Sequence, residues 1–392
     1  MRAGIFTDSI HRGSPGLGRY TRNLVEHLLT LDGDFEYLLI HRGDYPYYRD
    51  KPHLRVREVI TVVGKQLLVP FQLAGQNLDL LHDSYHFPPF LAPSTFRRVM
   101  TIADTTPFFL STHTWRNRLA HRLLVRRLAH RAHHIVTISE SSKRDIVRLL
   151  DIPAEQVSVT YPAAEEHYRP LEDHERGEEV RARHRLPDRF LLYVGTVEPR
   201  KNLARVIAAM ETVAQRVPDC SLVLAGPRGW KDGDVLAAAR PLEEQGRVVR
   251  LGRVPEEDLP VLYGLAEALV YPSLYEGFGL PVLEAMQCGC PVITSNVSSL
   301  PEVAGDAGLL VDPTSVEAIA EAMERVLSSP LQQEAMKLRG IRRARLFSWR
   351  RCAEDTVAVY ERVLAEAGKL PMRRPVVAPS AETPGRADRP AA

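Results

Sequence analysis

Short apolar runs alternate with segments of helical period through the first 150 or so residues of the chain. Runs at residues 3–7, 35–40, 54–58, 78–82, 99–103 and 135–138 have the length of buried strands. Between them Leu24, Val25, Leu28 and Leu29 recur at helical spacing, and residues 66–75, 115–132 and 141–150 carry similar patterns. Strand and helix in alternation predict an α/β fold, a parallel sheet with helices on both faces. Ligands of such sheets sit beyond the carboxyl ends of the strands, which singles out His82, Asp104 and Ser139. Residues 162–189 interrupt the pattern with a polar, charge-rich stretch that reads as a linker containing a short helix. The alternation resumes with a strand from Phe190, a loop, a helix over 203–217, and strands at 221–225 and 248–251.

Composition narrows the class. The 392 residues suffice for two domains of ordinary size, and 44% apolar with 26% charged residues is usual for a globular enzyme. A net charge of +2 is too small for a general nucleic-acid binder, so no nucleic acid is expected as a partner. No segment approaches the roughly 18 to 20 apolar residues of a membrane span, and the opening MRAGIFTDS lacks a secretory apolar region, so a cytoplasmic location is expected. Of the four cysteines only Cys288 and Cys290 are near one another, without a second pair to complete a zinc site; they read as small buried hydrophobes. His82 and His86 straddle a strand end and a loop with no third ligand, so no metal site is expected.

The chemistry concentrates in residues 271–313, where Glu276 and Glu284 stand eight positions apart around Gly277-Phe278-Gly279-Leu280-Pro281. Gly277 and Gly279 can take backbone conformations that a residue with a Cβ avoids, Pro281 suits the first turn of a helix, and Gly289 suits its stop. The N–H groups at that helix start, around Gly279, Leu280 and Val282, favour a phosphate or a sugar hydroxyl. A carboxylate can accept two hydrogen bonds from one diol, so two of them flanking the turn can hold both ends of an activated sugar.

This stretch, with the later Pro301-Glu302-Val303, closely resembles the signature of retaining glycosyltransferases of family 4, which have the GT-B fold. The resemblance covers about residues 1–367 and implies two Rossmann-like domains facing a cleft: an acceptor-side domain over 1–170 and a nucleotide-sugar domain over 171–348. A helix over 349–368 would cross back to the first domain, and the proline-rich residues 369–392 are expected to be disordered. It implies that Glu276 holds the donor hexose and Glu284 the ribose, with Phe278, Gly279 and Leu280 lining the donor. In GTVEPRKNL, Lys201 would contact the donor diphosphate with Arg200 beside it, while Thr196 stands where relatives carry arginine. Two fixed cations there stabilise charge on a departing nucleoside diphosphate, so no metal or other cofactor is expected. The turn carrying Arg253 and Val254 would line the nucleobase pocket through backbone atoms.

Several positions keep two readings. Gly16 and Gly18, in GLGRYTRNL after the first strand, either approach the donor diphosphate or acceptor or form a plain tight turn; Thr21 replaces the third glycine of a dinucleotide fingerprint. Asp104 either orients an acceptor hydroxyl or caps a turn, and Ala103 replaces the histidine that relatives carry before it. The acid-free helix over 115–132, with Arg116, Arg118, Arg122, Arg126, Arg127 and Arg131, is either ordinary packing or a peripheral contact to an anionic membrane or lipid-linked acceptor. The expected reaction moves a hexose from a nucleotide sugar to a glycan or lipid-linked acceptor. The form GTVEPRKN is similar to that of bacterial mannosyl- and rhamnosyltransferases of polysaccharide assembly, which favours GDP-mannose. A sugar-nucleotide epimerase and a non-catalytic sugar-nucleotide-binding protein are the alternatives.

Overall fold

The computed structural model of the chain describes residues 1–10, 15–56, 62–84, 88–91, 95–109, 115–229 and 233–371, and within these the side chains of all but 15, 62–65, 67, 107, 109 and 115–121. His86 and most of the proline-rich tail lie outside the described residues. Seven strands make a first, wholly parallel sheet: β1 (Arg2–Phe6), β2 (Glu36–His41), β3 (His53–Arg55), β4 (Leu80–Asp83), β5 (Arg97–Thr101), β6 (His134–Thr137) and β7 (Val157–Val159). Six make a second, also parallel: β8 (Phe190–Val194), β9 (Ser221–Ala225), β10 (Val248–Gly252), β11 (Ala268–Tyr271), β12 (Val292–Ser295) and β13 (Leu309–Val311). The orders are β3-β2-β1-β4-β5-β6-β7 and β10-β9-β8-β11-β12-β13, so each sheet reverses direction once, beside β1 and beside β8. Loops leaving the carboxyl ends at such a reversal diverge and open a crevice.

The helices alternate with these strands as the apolar periodicity requires. On the first sheet they are α1 (Pro15–Thr30), α2 (Val62–Leu73), α3 (Thr106–Phe109), α4 (Trp115–Ala129) and α5 (Glu140–Leu150). After α6 (His174–His184) the second set comprises α7 (Leu203–Arg216), α8 (Gly233–Glu244), α9 (Leu259–Leu265), α10 (Leu280–Gln287), α11 (Leu300–Ala304), α12 (Val316–Leu327) and α13 (Pro330–Ala344). Finally α14 (Trp349–Ala365) returns to pack on α1, where Trp349, Tyr360 and Val363 share a core with Tyr20, Leu24 and Leu28. All four cysteines are buried thiols.

Three expectations change. Strand β7 was not anticipated, because three residues, Val-Ser-Val, are too few to show alternation. Gly16 and Gly18 do not form a loop: α1 begins at Pro15 and contains both. Gly18 is needed for closeness, since a Cβ there would stand 2.8 Å from the Ser9 carbonyl oxygen. His82 is no ligand at a strand mouth; it lies wholly buried within β4, its Nδ1 2.6 Å from the Tyr360 hydroxyl of α14 and its Nε2 2.7 Å from Thr101 Oγ1.

Two buried histidines and a half-buried one should make this fold acid-sensitive. Burial holds His82 down to about 3, and burial with neighbouring cations holds His133 and His134 down to about 4, against an ordinary value of 6.5. A base whose folded value is depressed contributes stability that is full above its unfolded value and is lost as pH falls toward the folded one. The denaturation midpoint should therefore drop as pH is lowered from about 7 toward 5, and His134→Gln, which keeps a polar head against Ser158, should give a shallower slope in urea titrations.

Candidate active site

At the reversal point of the second sheet the loops after β8 and β11 meet around one buried carboxylate. Glu276, 7% exposed, takes a hydrogen bond from Lys201 Nζ on Oε1 at 2.7 Å and from Arg200 Nη1 on Oε2 at 2.6 Å, and the Tyr271 hydroxyl adds a third at 2.9 Å. Lys201 Nζ also bonds to the Tyr271 hydroxyl. Burial alone would raise the Glu276 carboxyl, but Lys201 and then Arg200 outweigh it and hold the group at about 2. Burial pulls the Lys201 ammonium below its ordinary value against the attraction of Glu276, whereas Glu276 and Glu198 hold the Arg200 guanidinium up despite its burial.

Backbone stitching fixes these loops. Asn202, in a left-handed conformation at φ 62°, donates its side-chain amide to the carbonyls of Pro272 at 2.9 Å and Pro313 at 2.7 Å, and Leu274 N reaches the Arg200 carbonyl at 2.9 Å. Ser298 Oγ accepts from Glu276 N at 3.0 Å and donates to its carbonyl, while Ser299 Oγ donates to the Glu276 and Phe278 carbonyls. Gly279 caps α10 at φ 110°, and Gly289 ends it at φ 73°. Gly277 is used differently from expectation: its φ is not in the left-handed region, and its role is proximity, since a Cβ would lie 2.8 Å from Asp104 Cβ.

Glu284, one turn inside α10 and 2% exposed, accepts from the Tyr263 hydroxyl at 3.1 Å and from Arg19 Nη1 at 2.9 Å. Arg19 comes from the first turns of α1, on the other sheet's side of the cleft. It also lies 3.5 Å from Glu165 and 3.6 Å from Glu256, with its guanidinium 5.6 Å from the Tyr168 ring centre. Burial raises the Glu284 carboxyl, and Arg19 only partly offsets it.

The remaining expected residues separate. Asp104 Oδ1 accepts from Thr106 N at 2.9 Å, so it does cap the turn that leads into α3, and the same side chain also abuts Gly277 across the cleft. The Phe278 ring is core, 5.6 Å from Phe347 and 6.3 Å from Tyr161, so any contact to a donor falls to its backbone. Leu280 and Val254 pack partly against the same core, Arg253 is exposed just after β10, and Thr196 turns its methyl toward Gly229. Gly16 is exposed in the first turn of α1 with no close neighbour. Among the described residues, Glu165, His167 and Glu256 have ligand atoms within 4.8 Å of one another, but Arg19 already neutralises two of them. Arg19 and Tyr271 were missed from the sequence, and Glu302 was read only as part of the family signature, without a role. Arg19 follows directly on Gly18 in a run read for its glycines, and its charge was the available signal.

A family model described as glycosyl transferases group 1 matches residues 177–343, and one described as glycosyltransferase family 4 matches residues 15–166. The O-antigen chain mannosyltransferase B of Escherichia coli is 34% identical over 383 residues, which are 92% of this chain and 100% of that protein. The serotype-specific mannosyltransferase WbdA of Escherichia coli is 32% identical over 245 residues, 61% of this chain but 30% of that longer protein. In fold, the chain superposes on sucrose-phosphate synthase from Thermosynechococcus elongatus with a TM-score of 0.74 at 21% identity, covering 93% and 100% of the two chains.

Replacing Arg19 by glutamine leaves Glu284 buried with its cation gone, and should cost roughly 1–3 kcal/mol of stability near neutral pH. Without the guanidinium the folded carboxyl rises further above its unfolded value, so proton uptake by the folded state should offset the loss as pH falls. Urea titrations of parent and variant should show a gap that narrows as the pH is lowered from neutral toward the ordinary carboxylate range; a constant gap would exclude Glu284 as the group left unpaired.

Proposed function

The chain belongs to the glycosyl transferases group 1, glycosyltransferase family 4, with the GT-B fold, and from that premise we propose that it moves a mannosyl group from GDP-mannose, with retention, to a hydroxyl of a growing glycan on a lipid-linked acceptor. The observation that carries this reading is the joining of Glu276, Lys201 and Arg200 into one buried cluster at the sheet reversal. Both relatives described above are named mannosyltransferases, which supports the sugar, and GDP-mannose is the donor toward which the likeness of GTVEPRKN to bacterial mannosyl- and rhamnosyltransferases leans.

In this reading Glu284 takes the ribose diol and Glu276 the hexose hydroxyls. Lys201 uses two of its three N–H donors on Glu276 and Tyr271, leaving one for a phosphate oxygen. Departure of the diphosphate builds negative charge where these cations are already fixed, so no reorganisation is needed at the moment of bond breaking and no metal is called for. Retention follows if the acceptor hydroxyl attacks the face the diphosphate leaves, a diphosphate oxygen taking the proton, with Asp104 orienting the hydroxyl from the first domain. On α4, Arg122, Leu123, Arg126 and Arg127 are exposed while Val125, Leu128 and Ala129 are buried. That outward basic face supports peripheral contact with an anionic membrane carrying the acceptor.

Incubation with a panel of nucleotide sugars tests the donor: GDP-mannose should release GDP fastest, and proton NMR of the first product should show an α-anomer; preference for another base or sugar, or a β-product, overturns the respective part. Lys201→Ala should slow transfer by about a hundredfold or more, the roughly 3–4 kcal/mol usual for a lost transition-state donor, with near-parent folding by circular dichroism. Glu284→Ala should chiefly weaken GDP binding in calorimetry, whereas Glu276→Ala should lower turnover more than GDP affinity; equal losses of affinity would remove the division of roles.

A further inference from the structure

Glu302 lies at the start of α11 in the second domain, yet its carboxylate sits on the N-terminus of α5 in the first. Oε1 accepts from Glu140 N at 2.7 Å, Oε2 accepts from Ser141 N at 3.2 Å, and the Tyr161 hydroxyl donates to Oε1 at 2.6 Å. The next N–H of the helix, that of Ser142, goes to the N-cap Ser139 Oγ at 3.0 Å. A helix start has N–H groups without intrahelical partners and a positive dipole end, and here a carboxylate from another domain satisfies two of them.

The same helix turn grips the Glu276 loop directly. The single Ser142 Oγ proton is shared between the Ala103 carbonyl at 3.0 Å and the Gly277 carbonyl at 3.3 Å, and the Tyr275 hydroxyl donates to Asp145 at 2.9 Å and pairs with Thr105 Oγ1 at 2.8 Å. Both chain neighbours of Glu276 are therefore bonded to the first domain. On the other side, Ser298 and Ser299, which hold the Glu276 backbone, lie only a few residues before Glu302.

We propose that the start of α5 is a clamp that positions Glu276 when the domains close, and that Glu302 is the positioning residue that holds the clamp. Glu302 touches no reacting atom in this scheme. It acts through the chain between Ser298 and α11, so that the Glu276 loop reaches its working geometry only when the first domain is docked. The proposal rests on the reading of Glu276 as the residue that holds the donor hexose.

The test compares parent, Glu302→Gln and Glu302→Ala, with Ser142→Ala as a second, independent lesion on the first-domain side. GDP affinity by calorimetry should not fall, since the Glu302 carboxylate bonds to Glu140, Ser141 and Tyr161 and not to Glu284. The kcat for transfer should fall by about 5- to 150-fold in Glu302→Ala, the span of ordinary coupling between sites, with Glu302→Gln in between because it keeps one acceptor oxygen. Small-angle scattering with GDP bound should show a larger radius of gyration in Glu302→Ala than in the parent, and Ser142→Ala should move kcat in the same direction. An unchanged kcat with unchanged scattering, or a kcat loss matched by an equal loss of GDP affinity, overturns the clamp. Should the parent transfer nothing from any nucleotide sugar, the reading of Glu276 fails on its own, while the scattering comparison still decides whether Glu302 holds the domains closed.

Discussion

A carboxylate as buried as Glu276 must have cations beside it, because removing an unpaired ion from water costs several kcal/mol even after relaxation. That requirement sets the arrangement of the second domain. The cations follow β8 and the carboxylate follows β11, so only a sheet in which these strands are neighbours can bring them together. The reversal of strand order beside β8 is thus where the fold places the cluster and where the loops part to admit a ligand. Tyr271 and the serines at 298 and 299 then fix the remaining atoms. The cluster is paired within the second domain, and in the proposed reading charges fixed in this way are what preorganise a site.

The two glutamates differ in what secures them. Glu276 is paired wholly within its own domain, and would keep Lys201 and Arg200 if the domains moved apart. Glu284 has Tyr263 from its own domain, but its cation comes from α1 on the other side. Opening the cleft would strip Arg19 from Glu284, and from Glu165 and Glu256 with it. The Arg19 ion pairs therefore give the two domains an electrostatic reason to stay together. In the proposed reading an incoming ribose at Glu284 would compete with Arg19 for the same carboxylate, which would link that site to the contact between domains.

Legibility in the sequence followed this same division. Strands such as 221–225 were readable because continuous apolar runs mark strands buried on both faces, and β9 has those bounds. Glu276, Lys201 and Arg200 were readable chiefly because the runs that carry them resemble a family signature, and their places in loops after strands agree with that resemblance. The pairings of Arg19 and Glu302 were not, because their partners are 265 and 162 residues away, on the other domain, and no periodicity encodes how two domains sit against each other. His82 misled for a related reason. Its position near a strand end looked like a ligand's, but the side chain that occupies it, Tyr360, belongs to a helix that returns from the far end of the chain.

Gly277 shows how closely the domains must approach for the site to exist. A Cβ at that position would stand 2.8 Å from Asp104 Cβ, 3.1 Å from the Ala103 carbonyl oxygen and 3.2 Å from Asp104 Oδ2, none of which is the end of a long flexible side chain. Any larger residue would therefore push residues 103–104 away from the Glu276 loop and lengthen the Ser142 to Gly277 hydrogen bond with them. Asp104 is fixed in turn by capping the turn that leads into α3, so it cannot swing aside at no cost. The glycine turn thus serves two constraints at once. Gly279 supplies the backbone geometry that starts α10, and Gly277 supplies the gap through which an acid of one domain meets the carboxylate loop of the other.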